Sequence, residues 1–480
     1  MKHLFLLLFT TSVWAQEQYI TKAEFLSDID YATSALEESH FNLYAYSSKV
    51  DFQNNVTNIE REINSDSISM FEAHKYLQRI VAGANNAHTR IEFPASFYFN
   101  YAENGGTVFP LELAFEAGKV YVRKNLSTTD IAIGSEITKI DNRPISEILE
   151  GIYPLISGED LVMKNAQLEA LSFPRYYWWA YGSKKKFEVT INGQSTTLQS
   201  ITAMEDFEYT REDFMFNEPL FKYYDKTAYL RPGGFGGDQK YYESFIDSSF
   251  ADIKKSSTQR LILDLRNNPG GDDSFSNYLV SYIADRPFKW NAKFELKNSS
   301  FLKEHVRKHM DTTSVYWQTI LEKGDEEVFE YQFEDYEPQA EHKRFKGEVI
   351  VLVNRQSYSQ ATVTAAQLQD YGWALIVGEE TAEYANLFAS LFSFKTPNSE
   401  IEIKVAKGYM ERLSGDKSPK GVQPDILIKD HLLDEEDEIL NRTLESSMEV
   451  SFEFNKNLEY FGYLIELGDT SIQNFHMLKL

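Results

Sequence analysis

A multidomain α+β protein is expected from three changes of pattern along the 480 residues. No glycine precedes Gly83, and from 22 to 84 apolar side chains such as Phe25, Ile29, Leu36, Leu77 and Ile80 recur near the spacing of a helix face. From about 107 to 201 short strand-like runs alternate with turn residues. From about 225 to 430 apolar strands alternate with helical stretches, as in a sheet covered on both faces.

Taken in order, Lys2 and His3 precede an apolar run from Leu4 to Phe9, and Ser12, Val13, Trp14 and Ala15 lead into Gln16. This three-part pattern predicts a secretory signal at 1–15, cleaved after Ala15, and hence an exported protein, periplasmic or extracellular. The apolar run is too short to span a bilayer, and no later segment has the length and apolarity to do so. A helical domain is assigned to 16–95, ending in the polar loop that carries His88. A β domain is assigned to 105–201, with strands at 119–122 and 187–191, a turn–strand–turn at 133–144 and a helix at 145–153. Its aromatic stretch at 175–179 is read as packing, since aromatic rings supply large buried area. The αβ core is assigned to 202–432, with strands at 261–265, 347–353 and 373–377. The charged segment 293–344 reads as an insertion or lid, and 433–480 as a C-terminal helix and tail.

Composition narrows the function. The chain carries 73 acidic against 48 basic residues, net −25, which argues against a nucleic-acid partner because phosphate binding needs clustered Lys and Arg. With no cysteine there is no thiol nucleophile and no disulfide framework. The histidines, among them His40, His74, His305 and His309, form no metal-ligand motif, and Gly233 to Gly237 lack the strand–GxGxxG–helix context of a dinucleotide site, so no cofactor or metal is expected.

Two turns carry candidate chemistry. Ser359 stands between an apolar strand and an alanine-rich helix, a position that suits either a helix cap or a nucleophile whose oxyanion faces backbone N–H groups. Asn268, Pro269, Gly270 and Gly271 follow the strand at 261–265, in a turn whose amides can point at a developing oxyanion or merely redirect the chain. His88 is a candidate base for a serine proton.

Together, "NNAHTRIEF" at 85–93, "IAIGSEITKIDNRPISEIL" at 131–149, "LDLRNNPGG" at 263–271 and "SYSQA" with "LQDYGWALIVGEET" at 357–381 resemble the tail-specific, or C-terminal processing, serine peptidase family. The resemblance implies an N-terminal helical domain, a PDZ-like peptide-binding domain and a crotonase-like ββα protease core. It places the nucleophile on Ser359, the family's aspartate on Asp370, and oxyanion donors on the amide of Gln360 and one of Gly270 or Gly271. The position of the family's general-base lysine is held by Tyr384, and the block from Glu379 to Asn386 lacks the glycines common there. "NNAHTRIEF" is similar to the histidine motif of the tricorn-core-like branch, which implies His88 as base, although Ala87 stands where that branch often has serine. That branch's acid precedes "GVQPDI", which leaves Glu411 and Asp416 as candidates. The expectation is an exported serine endopeptidase that cleaves peptides or unfolded protein tails through an acyl-enzyme. A catalytically inactive peptide-binding protein on the same fold is the alternative; an esterase ranks last, since no G-x-S-x-G elbow surrounds Ser359.

Overall fold

The computed structural model describes residues 18–210, 218–430, 434 and 436–445. The expected signal at 1–15 and most of the expected tail lie outside them.

Helices α1 (Lys22–Ser39), α2 (Lys49–Glu62) and α3 (Met70–Ala82) open the chain, followed by α4 (Ala95–Glu103). α1 starts in a capping box, with Thr21 and Glu24 satisfying each other's backbone N–H groups. The helices form as the periodicity requires, but they have no core of their own. Phe25, Ile29, Leu36, Leu77 and Ile80 share one apolar cluster with Phe294, Leu296, Leu302, Ile403 and Val405 from far along the chain. The charged segment 293–344 supplies part of that cluster and is therefore no detached insertion. Lys293–Lys297 and Val328–Glu330 are strands, and two helices lie between them. Phe294, Leu296, Leu302, Val306, Ile320 and Phe329 face inward, while the charges that made the segment look solvated face out.

The middle unit holds an antiparallel sheet in the order Arg143–Pro144, Ile137–Ile140, Lys186–Ile191, Gln194–Gln199, beside a hairpin of Leu111–Glu116 and Lys119–Asn125. It also holds α5 (Ile145–Ile152), α6 (Leu161–Leu171), α7 (Phe173–Tyr181) and α8 (Ala203–Thr210). The aromatic stretch is α7: Tyr176, Tyr177, Trp178 and Trp179 are buried, and Trp178 meets Phe71 of α3, so the stretch packs one unit against another as expected.

The core is a six-stranded sheet ordered Leu220–Tyr224, Thr227–Arg231, Arg260–Asp264, Glu348–Val353, Leu375–Gly378, Ile426–Leu427. All pairs after the first are parallel. Helices α9 (Gln239–Ser256), α10 (Asp273–Ser281), α11 (Ser300–His309), α12 (Val315–Glu322) and α13 (Gln360–Asp370) follow in chain order, and α14 (Glu438–Glu445) closes the described chain. Alternate side chains of the sheet serve opposite faces: Leu261, Leu263, Val349 and Val351 pack on α9, α10 and α13, whereas Ile262, Ile350 and Leu352 pack toward Ile439 and Leu440 of α14. Covering both faces explains why these strands are apolar throughout. α13 leaves the carboxyl end of Glu348–Val353. A second, antiparallel sheet, ordered Val328–Glu330, Lys293–Lys297, Glu402–Glu411, Leu387–Lys395, seats the N-terminal helices beside the core.

Candidate active site

Ser359 sits at the N-cap position of α13 but does not cap it, since its side chain makes no hydrogen bond to the first turn. Its backbone is at φ 55°, ψ −123°, a strained conformation for a side-chain-bearing residue. The strain is held from below. Ser357 Oγ donates to Leu265 O at 2.8 Å, Tyr358 N–H donates to Asn268 O at 3.0 Å, and Ser359 N–H donates to a carboxylate oxygen of Glu383. Oγ is thereby turned away from the helix toward His88.

His88 lies in the loop after α3. Asn86 Nδ2 and the Ala87 N–H both donate to Glu159 Oε1 at 3.0 Å, and Arg90 pairs with Lys404 of the second sheet through two backbone hydrogen bonds. The loop is thus pinned on one side by the middle unit and on the other by the second sheet. The imidazole stacks on the Tyr358 ring, 4.9 Å between centroids and 14° from parallel. His88 Nε2 is 3.1 Å from Ser359 Oγ, and Nδ1 is 3.1 Å from Glu383 Oε1. That second contact is off-line for a hydrogen bond, yet neither atom has another partner, so Nδ1 and Oε1 have only each other to satisfy them.

Glu383 is 1% exposed in its side chain. The candidate acids Glu411 and Asp416 are engaged elsewhere. Glu411 accepts from Lys417 Nζ at 2.9 Å, and Asp416, on the surface, accepts from the Ser418 N–H at 2.9 Å. Their selection is corrected: the carboxylate facing His88 is Glu383, in the block after the strand Leu375–Gly378, whereas the resemblance pointed to the segment before "GVQPDI". The other two glutamates of that block are spoken for, Glu379 by Arg355 and Glu380 by the Gly421 N–H. Asp370 pairs with Arg412 at the far end of α13. Tyr384, in the lysine position, donates to Asp160 Oδ2 at 3.1 Å.

Of the three candidate oxyanion donors, one is already engaged. Gly270 N–H is consumed by Asn268 Oδ1 at 2.9 Å. Gly270 instead provides closeness: it has φ 80°, and a Cβ there would lie 2.6 Å from Gln360 N and 2.7 Å from Ser359 Cβ. The bridge from this turn to Phe235 uses Gly270 O and the Asp272 N–H, leaving the Gly271 N–H outside it. Gln360 is the first residue of α13, so its N–H has no acceptor within the helix and stands at the positive end of the dipole.

Two cavities flank the serine. One, of about 380 Å³, runs between α6 and the turns at 267–269 and 355–358, lined by Met163, Ala166, Leu171, Pro269 and Tyr358. The other, of about 440 Å³, opens from Ser359, Gln360 and Gly271 toward Trp290, Trp317 and Lys407. Two carboxyls behind the first hold its lining residues, Glu159 accepting from the Ala87 N–H and Glu169 from Gln356 Nε2. Burial, with the nearby Glu383 charge, pushes Glu159 up to about 7, and burial pushes Glu169 up to about 7 against the pull of Arg355.

The model of peptidase family S41 matches residues 226–428, the stretch that holds Ser359, Glu383 and the glycine turn. Residues 226–428 belong to peptidase family S41. The S41 peptidases are serine-type hydrolases, which agrees with the resemblance drawn from the motifs. A carboxyl-terminal-processing protease of Picosynechococcus sp. is 26% identical over 250 residues, 51% of this chain and 50% of that one, so the aligned region spans about half the length of the curated relative. Two crystal structures share the fold: a point mutant of CPAF (TM-score 0.61, 14% identity, 85% of this chain and 93% of that chain) and mature CPAF (TM-score 0.60, 15% identity, 85% and 92%). The matched S41 domain begins after His88, so the imidazole reaches it from outside the matched residues.

Proposed function

We propose that this protein is a serine endopeptidase that cleaves peptides or unfolded protein tails, with His88 rather than a lysine as the base. His88 Nε2 takes the Ser359 proton as Oγ attacks the scissile carbonyl; the C–O bond forms and the carbonyl π pair moves to oxygen, where the N–H groups of Gly271 and Gln360 receive it. Glu383 holds Nδ1 protonated and stabilises the imidazolium. The imidazolium then protonates the leaving amine, the C–N bond breaks, and water, deprotonated by His88, resolves the acyl-enzyme. The polypeptide substrate crosses Ser359 between the two flanking cavities. The unit at 105–201 serves as a PDZ-like module that captures an extended peptide by strand addition, and the leader at 1–15 directs export. Among the described residues no helix is long and apolar enough to cross a membrane.

The observation that carries this reading is the pair of 3.1 Å contacts from one imidazole, to Ser359 Oγ on one side and to buried Glu383 on the other. The test is active-site labelling with a fluorophosphonate and cleavage of an unstructured peptide by wild type, Ser359→Ala and His88→Ala. Wild type is expected to label and cleave, and both variants to do neither. Activity that survives Ser359→Ala ends the assignment, and a wild type inert in both assays favours a peptide-binding protein.

A further inference from the structure

The cavity of about 440 Å³ beside Ser359 contains a buried lysine that the reaction does not use. Lys407 stands mid-strand in Glu402–Glu411, is 2% exposed and lines that cavity together with Ser359 and Gln360. Its Nζ donates to Ser390 O at 2.9 Å and Ser390 Oγ at 2.6 Å. The faces of Tyr316 and Trp317 lie 5.9 and 5.7 Å away. Among the described residues no carboxylate pairs with it. The cavity's two acids are committed elsewhere: Asp272 caps α10 through the Ser274 N–H, and Asp273 accepts from Tyr336 Oη at 2.8 Å.

The local backbone is shaped around this ammonium. In the pairing of Leu387–Lys395 with Glu402–Glu411, Ala389 faces Gly408 and Leu391 faces Ala406, which leaves Ser390 opposite Lys407. Ser390 has φ 59°, a left-handed conformation in the middle of a strand, and both its carbonyl and its hydroxyl meet Nζ. A buried ammonium without a counter-ion is costly, and burial lowers Lys407 to about 7. The remaining wall is apolar, with Trp290, Phe294 and Phe333 beside aliphatic side chains such as Val363 and Leu387.

Resting on the reading of Ser359 as nucleophile, we propose that Lys407 is a specificity residue and that this cavity takes a peptide carboxylate, whose charge supplies the counter-ion the fold omits. The carboxylate comes either from an acidic side chain beside the scissile bond or from the substrate's own carboxyl terminus. The apolar wall holds the methylene or apolar portion of the same residue.

The experiment uses three peptides of one sequence: one with glutamate at the variable position and both ends blocked, one with glutamine there and both ends blocked, and one with glutamine and a free terminal carboxylate. Affinities are measured calorimetrically on full-length Ser359→Ala, which does not depend on turnover, and cleavage on wild type. A carboxylate that completes a buried charge-assisted pair is expected to favour its peptide by about tenfold or more over the blocked glutamine peptide. Preference for the glutamate peptide assigns the side chain, and preference for the free-ended peptide assigns the terminus. Lys407→Met, which fills the same volume without charge, in the Ser359→Ala background is expected to erase the preference. Equal affinity for all three peptides, or a preference that persists in Lys407→Met, overturns the proposal. Fluorophosphonate labelling of wild type separates the two readings: absent labelling removes the nucleophile, while the binding preferences still decide the cavity.

Discussion

Replacing Glu383 by glutamine changes one atom of the site and inverts its proton inventory. Glu383 accepts from the Ser359 N–H through one oxygen and faces His88 Nδ1 with the other. In Glu383→Gln the buried Ser359 N–H keeps the single carbonyl oxygen, because leaving that donor unpaired costs about 1–3 kcal/mol. The amide NH₂ is then turned toward Nδ1, which must accept. The ring proton moves to Nε2, which faces Ser359 Oγ at 3.1 Å and can no longer take the serine proton. In a Ser–His–Asp triad, the same inversion of the histidine tautomer by an acid-to-amide change lowers kcat by about 10⁴-fold. At about 1.36 kcal/mol per decade, this is about 5.4 kcal/mol of transition-state stabilisation. The assay is kcat on an unstructured peptide together with the rate of fluorophosphonate labelling, with Glu411→Gln and Asp416→Asn alongside. A Glu383→Gln enzyme within tenfold of wild type, or an equal loss in either companion variant, refutes the reasoning.

Other expectations follow from the same geometry. Gly270→Ala forces a Cβ to 2.6 Å from Gln360 N at φ 80°, and is expected to lower unfolding free energy by about 2 kcal/mol or more, read from urea melts, and to slow cleavage by displacing Ser359. Glu159 is held at about 7 in the fold against 4.5 in the unfolded chain, so its contribution is fully present below about pH 4.5 and is lost as pH rises through about 7. Glu159→Gln keeps an acceptor for the Ala87 N–H and is expected to match wild type near pH 4, then to exceed it by about 3 kcal/mol at pH 8, with denaturant melts at both pH values as the check. Phe25→Ala is expected to cost about 3–5 kcal/mol and to destabilise helices and core in a single transition, because Phe25 shares its cluster with Leu302 and Ile403; two separated transitions in calorimetry would contradict that shared core.

The helices, the apolar parallel strands and the turns at Gly271 and Ser359 could be read in the sequence because local rules govern them: a 3.6-residue period, continuous apolar runs, glycine where φ is positive. What remained closed was set by contacts between distant residues. Phe25 and Leu302 announce burial, but not that they bury each other. Among three glutamates at 379, 380 and 383, spacing does not reveal which faces His88; that depends on Arg355 and Gly421 claiming the other two. The alternation of charge and apolar side chains at 293–344 carried a helix-and-strand signal that its net polarity obscured. Gly270 and Gly271 were equivalent candidates until Asn268, two residues earlier, took one amide.

The pinning of the histidine loop between Glu159 and Lys404 has a consequence for the making of the molecule. A chain synthesised only as far as residue 350 holds His88 without Ser359, and one whose first hundred residues have not docked holds Ser359 without His88 beside it. On the proposed mechanism the 3.1 Å pair therefore forms last, on completion of the whole assembly, and a half-finished copy has no activated serine.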